Sequence, residues 1–276
     1  MIIDSLYKRL AIFFLRKIFF RKFFRNLFIT FLKNHRYAVQ PDPTIAREGY
    51  EITFIPIIKK NTLPDKYLTK ISDEAHNILI DDFNKNTANV YSNHDEINDL
   101  SNHYLLLKAI SESIKAKNIV EIGIVSGMSL SSFINSKYTQ KVFTWDLCSL
   151  YHPTKSAVGL WFQKESTKNF ITDNLKSNSN KFEQYVEDIN NPIIFNTRKQ
   201  ILENADLIFI DGPHDGIFER EIFSKLLRLK FKNNPIMILD DIKISSMVSF
   251  WHEIELPKLD ISHMGHITGT GIIKLN

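Results

Sequence analysis

Apolar residues in the second half of the chain fall into short, nearly continuous runs at regular intervals. These runs cover residues 118–124, 141–147, 182–186, 205–211 and 236–241. We predict a strand at each run and helices between them, at residues 129–137, 160–176, 192–203 and 216–230. A further helix is predicted at residues 103–117, where Leu105, Ala109 and Ile110 can share one stripe.

Strands that are apolar almost throughout are typical of a sheet that is covered on both faces. Strands that alternate with helices predict a doubly wound parallel sheet with right-handed crossovers. After the fifth strand we expect a helix at residues 245–254. The tail, residues 261–275, is expected to supply two final strands, with Thr268 to Gly271 as a turn or bulge. The fold class predicted is therefore α/β, with a doubly wound, mostly parallel, seven-stranded Rossmann-like sheet.

The first hundred residues divide into two parts in this prediction, and residues 101–276 form the main domain. Residues 1–40 form a basic, helical extension, and residues 41–100 form a linker and an N-terminal cap segment. Within the second part, the sequence PDPT at 41–44 is the linker, residues 51–58 form a short strand, and residues 64–83 form a helix. Residues 84–102 are polar and rich in turn formers.

Charge is distributed unevenly along the chain, whose formal net charge is +4. Residues 1–41 contain nine basic residues against the single acid Asp4, so the remaining chain is acidic. Phenylalanines lie between the basic residues, and the longest uncharged run before Arg25 is too short to span a bilayer. We therefore expect residues 5–36 to lie at a membrane surface, with phenylalanine in the acyl boundary and Lys and Arg at anionic headgroups.

Two other interpretations of this basic segment remain open. The helix can pack on the domain or on a second subunit, which would make the protein an oligomer. Binding to nucleic acid is disfavoured because many phenylalanines would stay exposed.

The single cysteine, Cys148, cannot form an internal disulfide, so a reducing compartment is expected. We predict a cytoplasmic protein that is peripheral on the cytoplasmic face of the membrane.

Each of the five predicted parallel strands is followed or ended by a carboxylate. The acids are Glu121, Asp146, Glu187 with Asp188, Asp211, and Asp240 with Asp241. Ligands of such sheets bind outside the carboxyl ends of the strands. A single acid there is commonly a helix cap, but an acid at all five strand ends indicates a binding site.

The sequence VEIGIVSGMS, together with Asp146 in FTWDL and Asp188 in VEDI, resembles the class I S-adenosylmethionine-dependent methyltransferases over residues 100–276. The dinucleotide fingerprint G-x-G-x-x-G is absent, because Gly123 and Gly127 are four apart. The resemblance implies that the glycines admit the methionine part of the cofactor, that Asp146 binds the ribose hydroxyls, and that Asp188 lies near the adenine. The cofactor-binding residues implied are Glu121, Gly123, Gly127, Ser129, Asp146 and Asp188.

The second half, ADLIFIDGPHD followed by IMILDDI, is similar to the metal-dependent O-methyltransferases that act on sugar hydroxyls in macrolide biosynthesis and to cephalosporin-hydroxylase-type enzymes. This resemblance implies that Asp211, Asp240 and Asp241 hold Mg²⁺, a cation that prefers oxygen ligands. It also implies that His214 is the general base, with Asp211 as the second catalytic residue. Pro213 stands where many relatives have an acid, which bears on the loop that presents His214.

These features predict an S-adenosylmethionine-dependent O-methyltransferase that is assisted by Mg²⁺. The acceptor expected is a hydroxyl of a glycosyl or similar small molecule near a membrane. The cation would stabilise the alkoxide and the imidazole would take its proton. Two alternatives remain open: an RNA methyltransferase that grips phosphate with its basic tail, and a non-catalytic, membrane-associated module with a methyltransferase fold.

Overall fold

The computed structural model describes residues 37–41, 50–54, 65–84, 98–124, 126–149, 165–266 and 268–275. The helices are α1 (Lys66–Asn84), α2 (Asn98–Ser113), α3 (Met128–Ile134), α4 (Glu165–Ser177), α5 (Pro192–Glu203), α6 (Phe218–Leu226) and α7 (Ser245–Glu253). The strands are β1 (Tyr37–Pro41), β2 (Tyr50–Phe54), β3 (Asn118–Ile122), β4 (Lys141–Asp146), β5 (Phe182–Val186), β6 (Leu207–Ile210), β7 (Ile236–Asp240), β8 (Lys258–Asp260) and β9 (Thr270–Lys274).

The predicted seven-stranded sheet is confirmed, and its order is β5-β4-β3-β6-β7-β9-β8. The first five strands in this order are parallel to one another, while β9 is antiparallel to both β7 and β8. The chain moves outward from β3 through β4 to β5 and then crosses back to β6. The strand order therefore reverses between β3 and β6, which is where open α/β sheets bind their ligands.

Side chains of the central strands alternate between two buried clusters, one on each face of the sheet. Ile119 and Phe209 belong to the cluster beneath α1, α2, α3 and α4. Val120 and Ile208 belong to the cluster beneath α5, α6 and α7. Successive residues of a strand point to opposite faces, so burial on both faces requires the continuous apolar runs seen in the sequence. The result is three layers, with the sheet between two layers of helices.

Several predicted boundaries are wrong, mostly near the ends of the chain. The first of the two final strands lies at Lys258–Asp260, before the predicted tail, and Ser262–Met264 is a 3₁₀ turn. Thr270 and Gly271 lie in β9 rather than in a turn. Helix α2 begins at Asn98 and therefore extends into the predicted turn-rich segment. Helix α3 ends at Ile134 and is therefore shorter than predicted.

The N-terminal prediction can be compared with the structure only in part. Residues 37–40 are not helical, because they belong to β1, which pairs antiparallel with β2. The predicted helix at residues 64–83 is confirmed as α1. The predicted membrane-surface helix, residues 5–36, lies outside the described residues. None of the helices in the described ranges combines the length and apolar character that crossing a bilayer requires.

Candidate functional site

A cleft of about 410 Å³ lies at the carboxyl ends of β3, β4, β5 and β6. Its lining includes Gly123, Asp146, Asp188 and Asp211, each of which follows or ends a different parallel strand. Small-molecule sites in proteins commonly enclose about 300–1,000 Å³. Gly123 and the three acids Asp146, Asp188 and Asp211 therefore surround one cleft at four neighbouring strand ends.

Gly123 allows the carboxyl end of β3 to lie against the carboxyl end of β6. Its φ angle is +94°, and a Cβ atom built there would lie 1.8 Å from the backbone oxygen of Asp211. Its own N–H donates to the carbonyl of Trp145 at 2.8 Å. The glycine is thus required for contact between the β3 and β6 ends, in addition to the access for a cofactor that the sequence suggested. Gly127, with φ of +76°, precedes α3.

Asp146 fixes the loop that follows β3. One carboxylate oxygen accepts from the N–H of Ile124 at 3.1 Å, and the other accepts from the N–H of Cys148 at 2.8 Å. Asp146 also lines the cleft, so its carboxylate is placed where it could accept from a ligand's hydroxyl groups. Leu147, beside it in the cleft lining, is 73% exposed and presents an apolar side chain.

Glu121 and Ser129 lie beneath the loop and do not line the cleft. Both are buried, and the Ser129 hydroxyl donates to one oxygen of Glu121. Burial raises the pKa of Glu121 to about 8, although the hydrogen bond from Ser129 opposes this. The second Glu121 oxygen is buried without a hydrogen bond to any described residue. The pair therefore ties β3 to α3, and direct contact with a cofactor would require the loop to open.

The two adjacent acids that follow β5, Glu187 and Asp188, have different hydrogen-bond partners. Glu187 accepts from Trp145 Nε1 at 3.1 Å and from Arg198 at 2.7 and 3.2 Å. Among the bonds found in the described part of the chain, the carboxylate of Asp188 accepts only from the N–H of Asn190, at 2.8 Å. Glu187 is thus engaged in structure, and Asp188 remains the acid of this pair with capacity for a ligand.

His214 lies between two acids from neighbouring strand ends. Its Nε2 atom is 3.2 Å from Asp211 Oδ1 and 3.3 Å from Asp241 Oδ2. Burial alone would lower the pKa of His214, but the hydrogen bond with Asp211 and the charges of Asp241, Asp211 and Asp240 raise it to about 10. In this state the imidazole carries a second proton at neutral pH and cannot act as a base until that proton leaves.

The loop that carries His214 is organised by Glu219, a residue that the sequence analysis did not identify. Glu219 is fully buried, and its two oxygens accept from the N–H groups of His214 at 2.8 Å and of Gly216 at 2.9 Å. His214 itself has a φ angle of +57°, which is unfavourable for a residue other than glycine. The buried carboxylate therefore stabilises a strained backbone beside the acids.

Asp240, the third acid of the predicted metal set, contacts two histidines. One Asp240 oxygen is 2.9 Å from His266 Nε2, and the other is 3.3 Å from His103 Nε2. Burial raises the pKa of Asp240, but the charges of these two imidazoles and their hydrogen bonds lower it well below its usual range. Burial and the neighbouring charge of Asp240 raise the pKa of Asp241.

His103 and His266 were missed as site residues because nothing in the sequence connects them. His103 comes from α2, and the sequence analysis assigned it no role. His266 precedes β9 and was given no function. Their rings lie 4.1 Å apart, centroid to centroid, in an edge-to-face arrangement. Tyr104 lies beside this group, and burial together with the charges of Asp211 and Asp240 raises its pKa.

A Mg²⁺ ion could be held by Asp211 and Asp241, whose carboxylates both lie close to His214 Nε2. Mg²⁺ is commonly bound by one or two carboxylates and several waters. The two oxygens of Asp240 contact His266 and His103.

Comparison with solved structures finds similar chains among the methyltransferases. The SAH-bound methyltransferase PaMTH1 of Podospora anserina is 14% identical, with 78% of this chain and 99% of that chain covered and a TM-score of 0.43. The SAM-bound O-methyltransferase TomG of Streptomyces achromogenes is 14% identical, with 78% and 92% covered and a TM-score of 0.42. An SAH-bound O-methyltransferase of Bacillus cereus is 17% identical, with 78% and 94% covered and a TM-score of 0.40.

No family model matches the chain, and no curated protein matches it. Identities and TM-scores this low do not transfer an activity. The strand order establishes the fold. A functional proposal for this chain has to rest on the geometry of the cleft.

Proposed function

We propose that the protein is an S-adenosylmethionine-dependent O-methyltransferase. The observation that carries this proposal is the single cleft in which Gly123, Asp146 and Asp188 meet Asp211. A methyl donor and a deprotonating group must lie side by side for transfer, and positioning of this kind supplies much of the acceleration. The contact between Gly123 and the Asp211 carbonyl brings these two halves together.

The cofactor half of the cleft supports a nucleoside better than a simple anion. Asp146 accepts from two backbone N–H groups and lines the cleft, where its two oxygens are placed to accept from vicinal ribose hydroxyls. Leu147 and the buried Ile189 offer apolar surface for a purine ring, with Asp188 at its edge. The methionine portion would then lie toward the loop between Gly123 and Gly127.

The group formed by Asp211, Asp241 and His214 supports transfer of the methyl group to a hydroxyl oxygen. An alcohol becomes a good nucleophile only when it loses its proton, and His214 Nε2 is the group placed to accept it. Asp211 and Asp241 hold that ring now, so their negative charge sets its protonation. A Mg²⁺ ion on Asp211 and Asp241 would supply charge that favours the alkoxide and the neutral imidazole. No covalent intermediate on the protein is needed.

The acceptor is proposed to be a glycosyl or similar small hydroxyl compound near a membrane. The basic, phenylalanine-rich residues 5–36 support the membrane context, and each basic group near an anionic surface contributes about 1 kcal/mol. Flotation of the full chain with anionic and with neutral vesicles tests this directly. Binding to RNA in preference to anionic vesicles would instead favour the RNA methyltransferase alternative.

The experiment that tests the reaction is transfer of a labelled methyl group from S-adenosylmethionine to a panel of hydroxyl acceptors. Asp211→Asn is expected to abolish transfer while cofactor affinity stays within about threefold of wild type. Asp173→Asn, an exposed substitution on α4, is the matched control and should preserve both. Equal loss of transfer and cofactor affinity in Asp211→Asn would show that Asp211 is structural.

A further inference from the structure

Three buried side chains from distant parts of the chain converge at the end of β7. They are His103 of α2, Asp240 of β7 and His266, which precedes β9, and one ligand atom of each lies within 4.8 Å of the others. Their exposed fractions are 2%, 5% and 7%, so water competes little for these donors. We propose that they form a binding site for a divalent transition-metal ion, with Zn²⁺ as the best-matched ion, independent of the methyltransferase activity.

One of the two contacts within the trio matches the spacing of neighbouring metal ligands better than that of a hydrogen bond. His103 Nε2 and Asp240 Oδ2 are 3.3 Å apart. A charge-assisted hydrogen bond is commonly shorter, about 2.7–2.9 Å. Two neighbouring ligands of a tetrahedral Zn²⁺, with bonds of about 2.0–2.1 Å, lie about 3.3 Å apart. The second contact, 2.9 Å between His266 Nε2 and Asp240 Oδ1, would widen slightly on binding.

Both imidazoles are oriented from behind by threonine hydroxyls. His103 Nδ1 lies 3.3 Å from Thr270 Oγ1, and His266 Nδ1 contacts Thr268 Oγ1. Metal-binding histidines typically have the nitrogen that does not bind the metal held by a hydrogen bond of this kind. The threonines therefore aim the Nε2 atoms of both rings at Asp240, which is the arrangement that a metal needs.

Thr270 contacts two members of the trio. Its hydroxyl oxygen lies 3.4 Å from Asp240 Oδ1 and 3.3 Å from His103 Nδ1, so it helps to hold the carboxylate and the imidazole in place relative to each other.

The donor types select the class of metal. Imidazole nitrogens with one carboxylate suit Zn²⁺ and similar transition-metal ions, whereas Mg²⁺ and Ca²⁺ prefer oxygen alone. Asp211 and Asp241, which contact His214, offer only oxygen ligands and therefore suit an oxygen-preferring cation. The transition-metal ion would join α2, β7 and the segment before β9, and it would stabilise the fold by binding only the folded chain.

The test uses the full chain after treatment with a chelator and dialysis. Calorimetry with Zn²⁺ alone, in the absence and presence of millimolar Mg²⁺, should give one Zn²⁺ site in both conditions. Co²⁺ should produce visible absorption bands of a low-coordinate site. At a Zn²⁺ concentration about 100-fold above Kd, the melting temperature should rise by about 5–10 °C.

Variants assign the site and separate it from the proposed reaction. His103→Gln and His266→Gln should each weaken Zn²⁺ binding by about 100-fold, whereas His76→Ala, at an exposed position of α1, should leave it unchanged. Asp211→Asn should lose methyl transfer and keep Zn²⁺ binding. The proposal is overturned if the wild-type chain binds Zn²⁺ more weakly than about 10 µM, or if both glutamine variants bind it as the wild type does. The wild-type titration decides this even when a variant fails to fold.

Discussion

Replacing Glu219 by glutamine tests how the loop before α6 holds His214. The change preserves the shape of the side chain and replaces one accepting oxygen by an NH₂ group. In the wild type the two oxygens accept from the N–H groups of His214 and Gly216, at 2.8 and 2.9 Å. Glutamine can satisfy only one of them and turns a donor toward the other.

The expected cost follows from burial. Glu219 is fully buried, so the N–H group that loses its acceptor cannot turn to water. A buried donor left unsatisfied costs about 1–3 kcal/mol. The left-handed backbone of His214, itself unfavourable by about 1–2 kcal/mol, then loses part of its support. We expect Glu219→Gln to lower the free energy of unfolding by about 2–3 kcal/mol and to reduce methyl transfer more than cofactor affinity.

Asp215→Asn is the matched control in the same loop. One oxygen of Asp215 accepts from the N–H groups of Ile217 and Phe218, at 2.8 and 2.9 Å, and the side chain is exposed. Asparagine keeps that oxygen, so the free energy of unfolding should change by less than about 0.5 kcal/mol. Urea unfolding measures both variants. Equal stability of Glu219→Gln and wild type, or an equal loss in Asp215→Asn, would refute the role assigned to Glu219.

Three further predictions concern the cleft. Leu147→Ala should weaken S-adenosylmethionine binding about tenfold in calorimetry. The melting temperature should not change, because the side chain is largely exposed. Unchanged affinity would show that the purine ring binds elsewhere. Gly123→Ala should lower the free energy of unfolding by at least about 2 kcal/mol, because a Cβ would meet the Asp211 backbone at positive φ; a stable variant would contradict this contact. Since the pKa of His214 is raised from 6.5 to about 10, the stabilisation it brings is complete below pH 6.5 and is lost as pH rises toward 10. Urea unfolding from pH 6 to 10 should therefore show a steeper decline for wild type than for Asp211→Asn, and parallel curves would exclude a contribution from the His214–Asp211 ion pair.

The sheet and its acidic edge could be predicted because both depend on local patterns. Apolar runs fixed the strands, and parallel strands bring their carboxyl ends to one edge, so Asp146, Asp188 and Asp211 were expected to meet. The reason for Gly123 was only partly predictable. Its close neighbour, the Asp211 carbonyl, is 88 residues away in the chain, and no local pattern reports a contact at that distance.

The division of the acids after β7 could not be predicted from the sequence. Asp240 and Asp241 are adjacent, and the resemblance treated them as one pair of ligands. Asp241 has a φ angle of +56°, so the backbone leaves the extended conformation of β7 directly after Asp240. Asp240 then meets histidines that lie far from it in the chain, one of them on a helix. A lone histidine near a helix start offers no sequence pattern that indicates a ligand.

The central claim is that the cleft beside Gly123 binds S-adenosylmethionine. The most direct measurement is calorimetric titration of the purified full chain with this cofactor, repeated with Asp146→Ala and with the exposed control Asp173→Ala. We predict saturable one-to-one binding to wild type and control, with affinity at least tenfold weaker in Asp146→Ala. Absence of binding to a folded wild-type chain, or equal affinity in all three proteins, would contradict the claim.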